Sequence, residues 1–221
     1  MVNMRVCLAS TSPARLMLLR QAGIEPLTAS PDVDEEAVAA AATEAAGAEL
    51  PPAELVLLLA RAKAADVARR VAAEDPGFDG IVIGGDSMFA LNGRVYGKPH
   101  TAAEATRRWH EMRGATGILH SGHSVFRIAP GAAPVEATAT AEAAVTFAED
   151  ISDEEIAVYV ASGEPLYVAG AFTVDSLGGA FITRVDGDPS TVVGMSLSTI
   201  RRLAADLDVT WTDLWNIPQS D

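Results

Sequence analysis

The chain alternates between short continuous apolar runs and apolar stripes at helical spacing. Val6–Ala9 is a run of the first kind, short enough for one buried strand. It gives way to Ser10-Thr11-Ser12. Ser12 is a good N-cap, Pro13 suits the first helical position, and Leu16, Leu18 and Leu19 line one face up to Gly23. Ile24–Ala29 predicts a second strand, followed by the acidic loop Ser30–Val38. Residues 39–50 are alanine-rich and weakly patterned, and are expected to be mobile. From Pro52 to Ala73 the spacing predicts a long helix with Leu55, Leu58, Leu59, Ala62 and Ala65 inward. Lys63 then falls one step off that stripe, at an exposed position.

Ile81–Ile83 reads as a buried strand ending at Gly84-Gly85-Asp86-Ser87. Met88–Leu91 and Arg94–Tyr96, joined by Asn92-Gly93, predict a hairpin. Thr101 with Glu104 forms a capping-box pattern for a helix to Arg113, closed by Gly114. Ile118–Ile128 and Ala137–Phe147 are long β-prone runs. Ser152 with Glu155 caps a further helix that stops at Gly163. Residues 163–194 mix turns with strands, and a last helix runs from about Ser196 to Leu207. The order of elements predicts a mixed α/β protein, one domain over residues 1–221 without internal repeat or clear linker.

Composition narrows the functional classes. Nearly half of the 221 residues are apolar, enough for a substantial core, yet no apolar run reaches the length of a membrane span. No N-terminal stretch combines basic, apolar and cleavage-site regions, so the expected location is the cytoplasm. A net charge of −14 argues against nucleic-acid backbones and anionic membranes as partners. The one cysteine, Cys7, is expected to be a small buried filler. Fourteen of the sixteen basic residues are arginine, so Lys63 and Lys98 stand out.

Three stretches carry candidate chemistry. A strand-to-helix turn aims backbone N–H groups at one point, and Ser10, Ser12 and Arg15 would complete an anion cradle there. The same residues also suffice simply to start a helix. Asp86, behind a buried strand and two glycines, lies where ligands collect at strand ends; it could hold a metal, take a proton from water, or be an ordinary acidic turn. Lys98, between Gly97 and Pro99, and Lys63 read equally well as surface lysines. The acidic group Asp32, Asp34, Glu35 and Glu36 is a solvated loop or helix start that could lend one oxygen to Mg²⁺. His100, His110, His120 and His123 show no zinc spacing and read as structural or surface residues, with His120 and His123 on opposite strand faces.

Together these blocks, in this order, resemble the Maf family of nucleoside triphosphate pyrophosphatases, related in fold to the inosine triphosphatases. "LASTSPARLMLL", "DVDEEAV", "LARAKAADVA", "IGGDSMFALNGRVYGKP" and "GEPLYVAGAFTVDSLGGAFITRVDGDPSTVVGMSL" each look like a family block, and together they span nearly the whole chain. The resemblance implies an elongated, twisted mixed sheet flanked by helices, two-lobed about a central cleft. It also marks departures: Ala14 replaces the first of two arginines after Pro13, leaving only Arg15, while Ser87 replaces a threonine, Gly117 a histidine, Val168 a lysine and Asp175 a glutamine. Ala14, Ser87 and Asp175 correspond to family positions that tune base choice.

The implied reaction is hydrolysis of a nucleoside triphosphate to the monophosphate and pyrophosphate with a divalent cation, Mg²⁺ or Mn²⁺. Asp86 would be the catalytic carboxylate, with Glu35 helping it hold the metal. Arg15, Lys63 and Lys98 would grip the triphosphate with Ser10 and Ser12. The resemblance further implies a house-cleaning role on modified or non-canonical nucleotides, a homodimer and a link to cell-division arrest. Two other readings remain: a non-catalytic nucleotide-sensing regulator of septum formation, and a phosphatase releasing orthophosphate. Tyr96, Trp109, Tyr167 and Phe172 are open candidates for stacking on the base.

Overall fold

The structure, a computed structural model, describes residues 4–216. Seven strands form one mixed sheet: β1 (Arg5–Ala9), β2 (Leu27–Ala29), β3 (Gly80–Leu91), β4 (Arg94–Tyr96), β5 (Thr116–Ile128), β6 (Val135–Phe147) and β7 (Ile182–Gly187). Their order is β2-β1-β3-β5-β6-β7, with β4 paired to β3. The helices are α1 (Pro13–Gln21), α2 (Glu35–Ala46), α3 (Pro52–Glu74), α4 (Ala102–Met112), α5 (Asp153–Ala161), α6 (Pro189–Val193) and α7 (Leu197–Asp206). Contacts divide the chain into two compact units. The described residues within Met1–Asp86, Ser121–Ala141 and Gly194–Asp221 form the first, and Ser87–His120 with Glu142–Val193 form the second.

In the first unit β1 pairs in parallel with β2 on one side and β3 on the other, Ala9 lying opposite both Ala29 and Gly84. Helix α3 covers these strands with Val56, Leu59, Ala60, Lys63, Ala64, Val67 and Ala68 buried. The inward stripe is therefore shifted from the predicted one, and Lys63 faces inward instead of toward solvent. The sequence misleads because alanine occupies both faces of this helix, so periodicity scarcely distinguishes two registers. Gly84 decides the matter: a Cβ there would lie 2.6 Å from the Ala64 Cβ and 2.7 Å from the Ala60 carbonyl oxygen. Only glycine lets the helix backbone come that close to the strand.

Three further expectations need correction. Residues 35–46, expected to be part acidic loop and part mobile stretch, are helical. Asp34 caps them by accepting the Ala37 N–H at 3.0 Å, Glu35 and Glu36 sit in the positively polarised first turn, and Gly47 closes the helix in a left-handed conformation. No residue of α2 is buried; its order follows from alanine propensity and its caps, which a search for an apolar stripe does not register. Strand β2 is three residues long, not six. Gly84-Gly85-Asp86 is not a turn after a strand but the middle of β3.

The second unit is built on aromatic packing. Phe89, Tyr96, Trp109, Phe147, Tyr159 and Phe172 share one buried cluster, with edge-to-face contacts such as Trp109 on Tyr159 at 5.1 Å between ring centres. The predicted hairpin is present, with Phe89 opposite Tyr96 and both Asn92 and Gly93 at positive φ, as a type I′ turn requires. Ser152 and Glu155 form a complete capping box on α5. Only half of the predicted box exists on α4: Thr101 accepts the Glu104 N–H, while the Glu104 carboxylate turns to Arg107 and Arg108.

Candidate functional site

The parallel pairing of β1 with β3 brings the turn after Ala9 beside Gly85 and Asp86. Ser12 caps α1 through the Arg15 N–H at 3.4 Å, and the Ser10 hydroxyl accepts the Ser12 N–H at 3.1 Å. The Arg15 side chain folds back over this turn. Its Nη1 donates to Ser10 Oγ at 3.3 Å and its Nε to the Gly194 carbonyl at 2.8 Å. A Cβ on Gly85 would lie 3.3 Å from that Nε, so this glycine leaves the guanidinium its room.

From the other side α3 delivers Lys63. Its ammonium donates to Asp86 Oδ1 at 2.7 Å and lies 2.8 Å from Glu35 Oε1. Lys63 and Asp86 are each only 8% exposed, whereas Glu35 is half in solvent at the start of α2. Burial raises the Asp86 carboxyl above the ordinary carboxylate range; Lys63 and then Arg15 oppose that rise, and Glu35 adds to it. Burial likewise lowers Arg15, with Asp86 and Glu35 opposing. Two cations and two carboxylates thus share one partly dry pocket, an arrangement that costs desolvation and contributes little net stability.

Six of the predicted residues, Ser10, Ser12, Arg15, Glu35, Lys63 and Asp86, meet in the first unit. Ala14 lies half-buried on α1. Ser87, Lys98 and Asp175 belong to the second unit, the first half-buried and the other two exposed. Of the aromatic candidates, Tyr96, Trp109 and Phe172 are buried in the core, while Tyr167 is 67% exposed with its ring edge-to-face against His100. His120 contacts Glu142 at 2.9 Å. His123, fully buried, accepts the Ser196 N–H on Nε2 at 2.9 Å.

Two contacts lie outside every side-chain pattern of the sequence, one at this cluster and one in the scaffold of the second unit. The Gly194 carbonyl anchors Arg15 from 179 residues away, a backbone contact that no side-chain pattern announces. Glu164, in the second unit, accepts from the hydroxyls of Tyr159, Thr173 and Ser176 and from the N–H groups of Leu177 and Gly178. Burial pushes its carboxyl up, but these bonds outweigh it and hold the pKa at about 2. Its place after Gly163 at a helix stop was the only local hint.

For a divalent cation the donor set is small. Among the described residues no group of three or more His, Cys, Asp or Glu stands ready to hold a metal. Mg²⁺ nevertheless takes only one or two carboxylates from a protein when substrate phosphates and water fill its other positions, and Asp86 and Glu35 are two carboxylates that reach the same ammonium. Asp86 and Glu35 fit that role.

A mixed sheet that sets a buried carboxylate, an ammonium and an anchored guanidinium around the end of a parallel strand pair defines an α/β protein with a charged cluster at its strand ends. The chain belongs to the family described as "Maf-like protein", whose model matches residues 5–207. Among its curated relatives, one from Leifsonia xyli subsp. xyli is 57% identical over 213 residues, covering 96% of this chain and 97% of the relative. Another, from Streptomyces coelicolor, is 50% identical over 212 residues, covering 96% and 94%. Both are named "Nucleoside triphosphate pyrophosphatase". The structure of the Staphylococcus aureus Ham1 protein overlaps 92% of this chain and 95% of its own at 12% identity and a TM-score of 0.36, a superposition too loose to carry an argument. Among the described residues no helix is long and apolar enough to cross a membrane.

Proposed function

We propose that this protein hydrolyses nucleoside triphosphates between the α- and β-phosphates, releasing the monophosphate and pyrophosphate, a reading supported by relatives named nucleoside triphosphate pyrophosphatase. The observation that carries the reading is the buried Lys63–Asp86 contact with Arg15 alongside. A pure core has no use for such a cluster of charged side chains, whereas a triphosphate gives its two cations an anion to bind.

Water attacks the α-phosphorus and its oxygen forms the new P–O bond. The proton passes to the Asp86 carboxylate, and the bond to the bridging oxygen breaks with its electron pair leaving on pyrophosphate. Asp86 suits the task because burial strengthens it as a base, while Lys63 and Arg15 favour its ionised form. Lys63, freed in part from Asp86 by the ligand, and Arg15 neutralise the phosphate oxygens. Lys98 is assigned to phosphate binding on the family resemblance of its Gly97-Lys98-Pro99 block. A divalent cation held by Asp86 and Glu35 would supply further charge neutralisation on those oxygens. Ala14, Ser87 and Asp175 remain the proposed determinants of base choice, on modified or normal nucleotides. A cytoplasmic location and a homodimer complete the reading.

The test is a panel of normal and modified triphosphates with Mg²⁺ or Mn²⁺, scored separately for pyrophosphate and orthophosphate. Pyrophosphate with the monophosphate supports the reading. Orthophosphate with the diphosphate contradicts it, and binding without either product returns the protein to a sensor of nucleotides.

A further inference from the structure

Arg15 is held in place by a relay of contacts. Its Nε is fixed by the Gly194 carbonyl at 2.8 Å, and Gly194 stands at the start of a short strap leading into α7. Two residues later that strap is tied down. The Ser196 N–H donates at 2.9 Å to Nε2 of His123, and both residues are fully buried. Ser196 is also the N-cap of α7, accepting the Thr199 N–H at 3.2 Å, and Met195 between the two ties is fully buried. Gly194 adopts φ +128°, a conformation that L side chains rarely adopt. Arg15, His123, Gly194 and Ser196 all lie in the first unit.

We propose that His123 is a positioning residue for Arg15. By accepting the Ser196 N–H it fixes the strap, the strap fixes the Gly194 carbonyl, and the carbonyl fixes the guanidinium over the Ser10–Ser12 turn. The physical case rests on burial. An acceptor removed from a dry N–H leaves that donor unsatisfied, so the strap must shift to find another partner. A carbonyl two residues away moves with it. Lysine would tolerate such a shift, but a guanidinium held through Nε has one orientation in which its remaining N–H groups face an anion. An arginine fixed in advance also loses less side-chain entropy when ligand arrives. This inference rests on the reading that Arg15 grips the triphosphate, and it assigns His123 a job for which spacing and histidine chemistry gave no sign.

The test uses inorganic tripolyphosphate as a base-independent probe, its Kd measured by calorimetry on the intact protein, beside KM and kcat for the best triphosphate. Arg15→Ala is expected to weaken binding about tenfold, a difference of about 1.4 kcal/mol. His123→Leu, which removes the acceptor, should give a loss of similar size, seen in Kd and KM more than in kcat. The double variant should be no weaker than Arg15→Ala alone, because the two act through one contact. His123→Gln, whose amide oxygen reaches toward the same N–H, should restore binding to within about twofold of the unaltered protein. Should His123→Leu fail to fold, His123→Asn, whose shorter amide falls short of Ser196, serves in its place. The proposal is overturned if the acceptor-less variant binds tripolyphosphate normally, or if its loss adds in full to that of Arg15→Ala. Normal binding by Arg15→Ala alone would instead sink the functional reading, and the link with it.

Discussion

Asp86 is a buried carboxylate and Glu164 a half-buried one, and their surroundings drive them in opposite directions. Around Asp86 stand an ammonium, a guanidinium and a second carboxylate, and burial still wins, so its pKa is raised. Around Glu164 stand three hydroxyls and two backbone N–H groups, and these outweigh burial to hold it at about 2. The first is costly to ionise in the folded chain and the second is at ease. A fold keeps a costly carboxylate where chemistry needs one, and a satisfied carboxylate where a loop needs tying.

Linkage turns that contrast into measurements. A raised carboxyl binds its proton more tightly folded than unfolded, so stability falls as pH rises from its unfolded value through its folded one; a lowered carboxyl does the reverse. Neutralising Asp86 should therefore raise Tm at pH 7, and neutralising Glu164 should lower it. Were both variants to shift Tm in the same direction, the distinction would fail.

The largest effect on catalysis outside Asp86 itself is expected from Lys63. Lys63→Met should cut kcat/KM by on the order of 10²-fold, since it removes a preorganised charge from a water-poor pocket. Turnover within threefold of normal would place Lys63 among structural ion pairs. Next comes Glu164→Gln, which should leave kcat per folded molecule unchanged while costing roughly 2–3 kcal/mol of stability for the lost charge-assisted bonds. That corresponds to roughly 5–10 °C in Tm for a chain of this length. The deficit should shrink as pH falls from about 4.5 toward the Glu164 value of about 2, because the native carboxylate is then losing its advantage too. A deficit independent of pH would mean that packing, not charge, is what Glu164 contributes. The smallest effect is that of exposed Lys98: Lys98→Ala should raise KM several-fold with kcat nearly constant, and an unchanged KM would return it to the ordinary surface.

Much of this was legible in the residues. Ser12 and Pro13 announce α1, Ser152 and Glu155 announce α5, and Asn92-Gly93 announces the hairpin, because caps and tight turns are local chemistry. The motif order carried the family. What escaped depends on distance in sequence or on degenerate patterns. Alanine gives a helix no preferred side, so the pattern points Lys63 outward where the fold turns it in. Helix α2 buries nothing and so leaves no apolar stripe to read. Two glycines before Asp86 suggest a turn, whereas Gly84 is there to admit α3 and Gly85 to admit Arg15. The carbonyl of Gly194 and the imidazole of His123 reach the site through contacts spanning 179 and 73 residues, which no local reading can join.

The most direct measurement is pyrophosphate release by Asp86→Asn alongside its binding of tripolyphosphate. Turnover is expected to fall by roughly 10²–10⁴-fold, the usual share of a positioned general base, in a protein that stays folded and still binds the anion. Near-normal turnover in that variant would contradict the general-base role of Asp86.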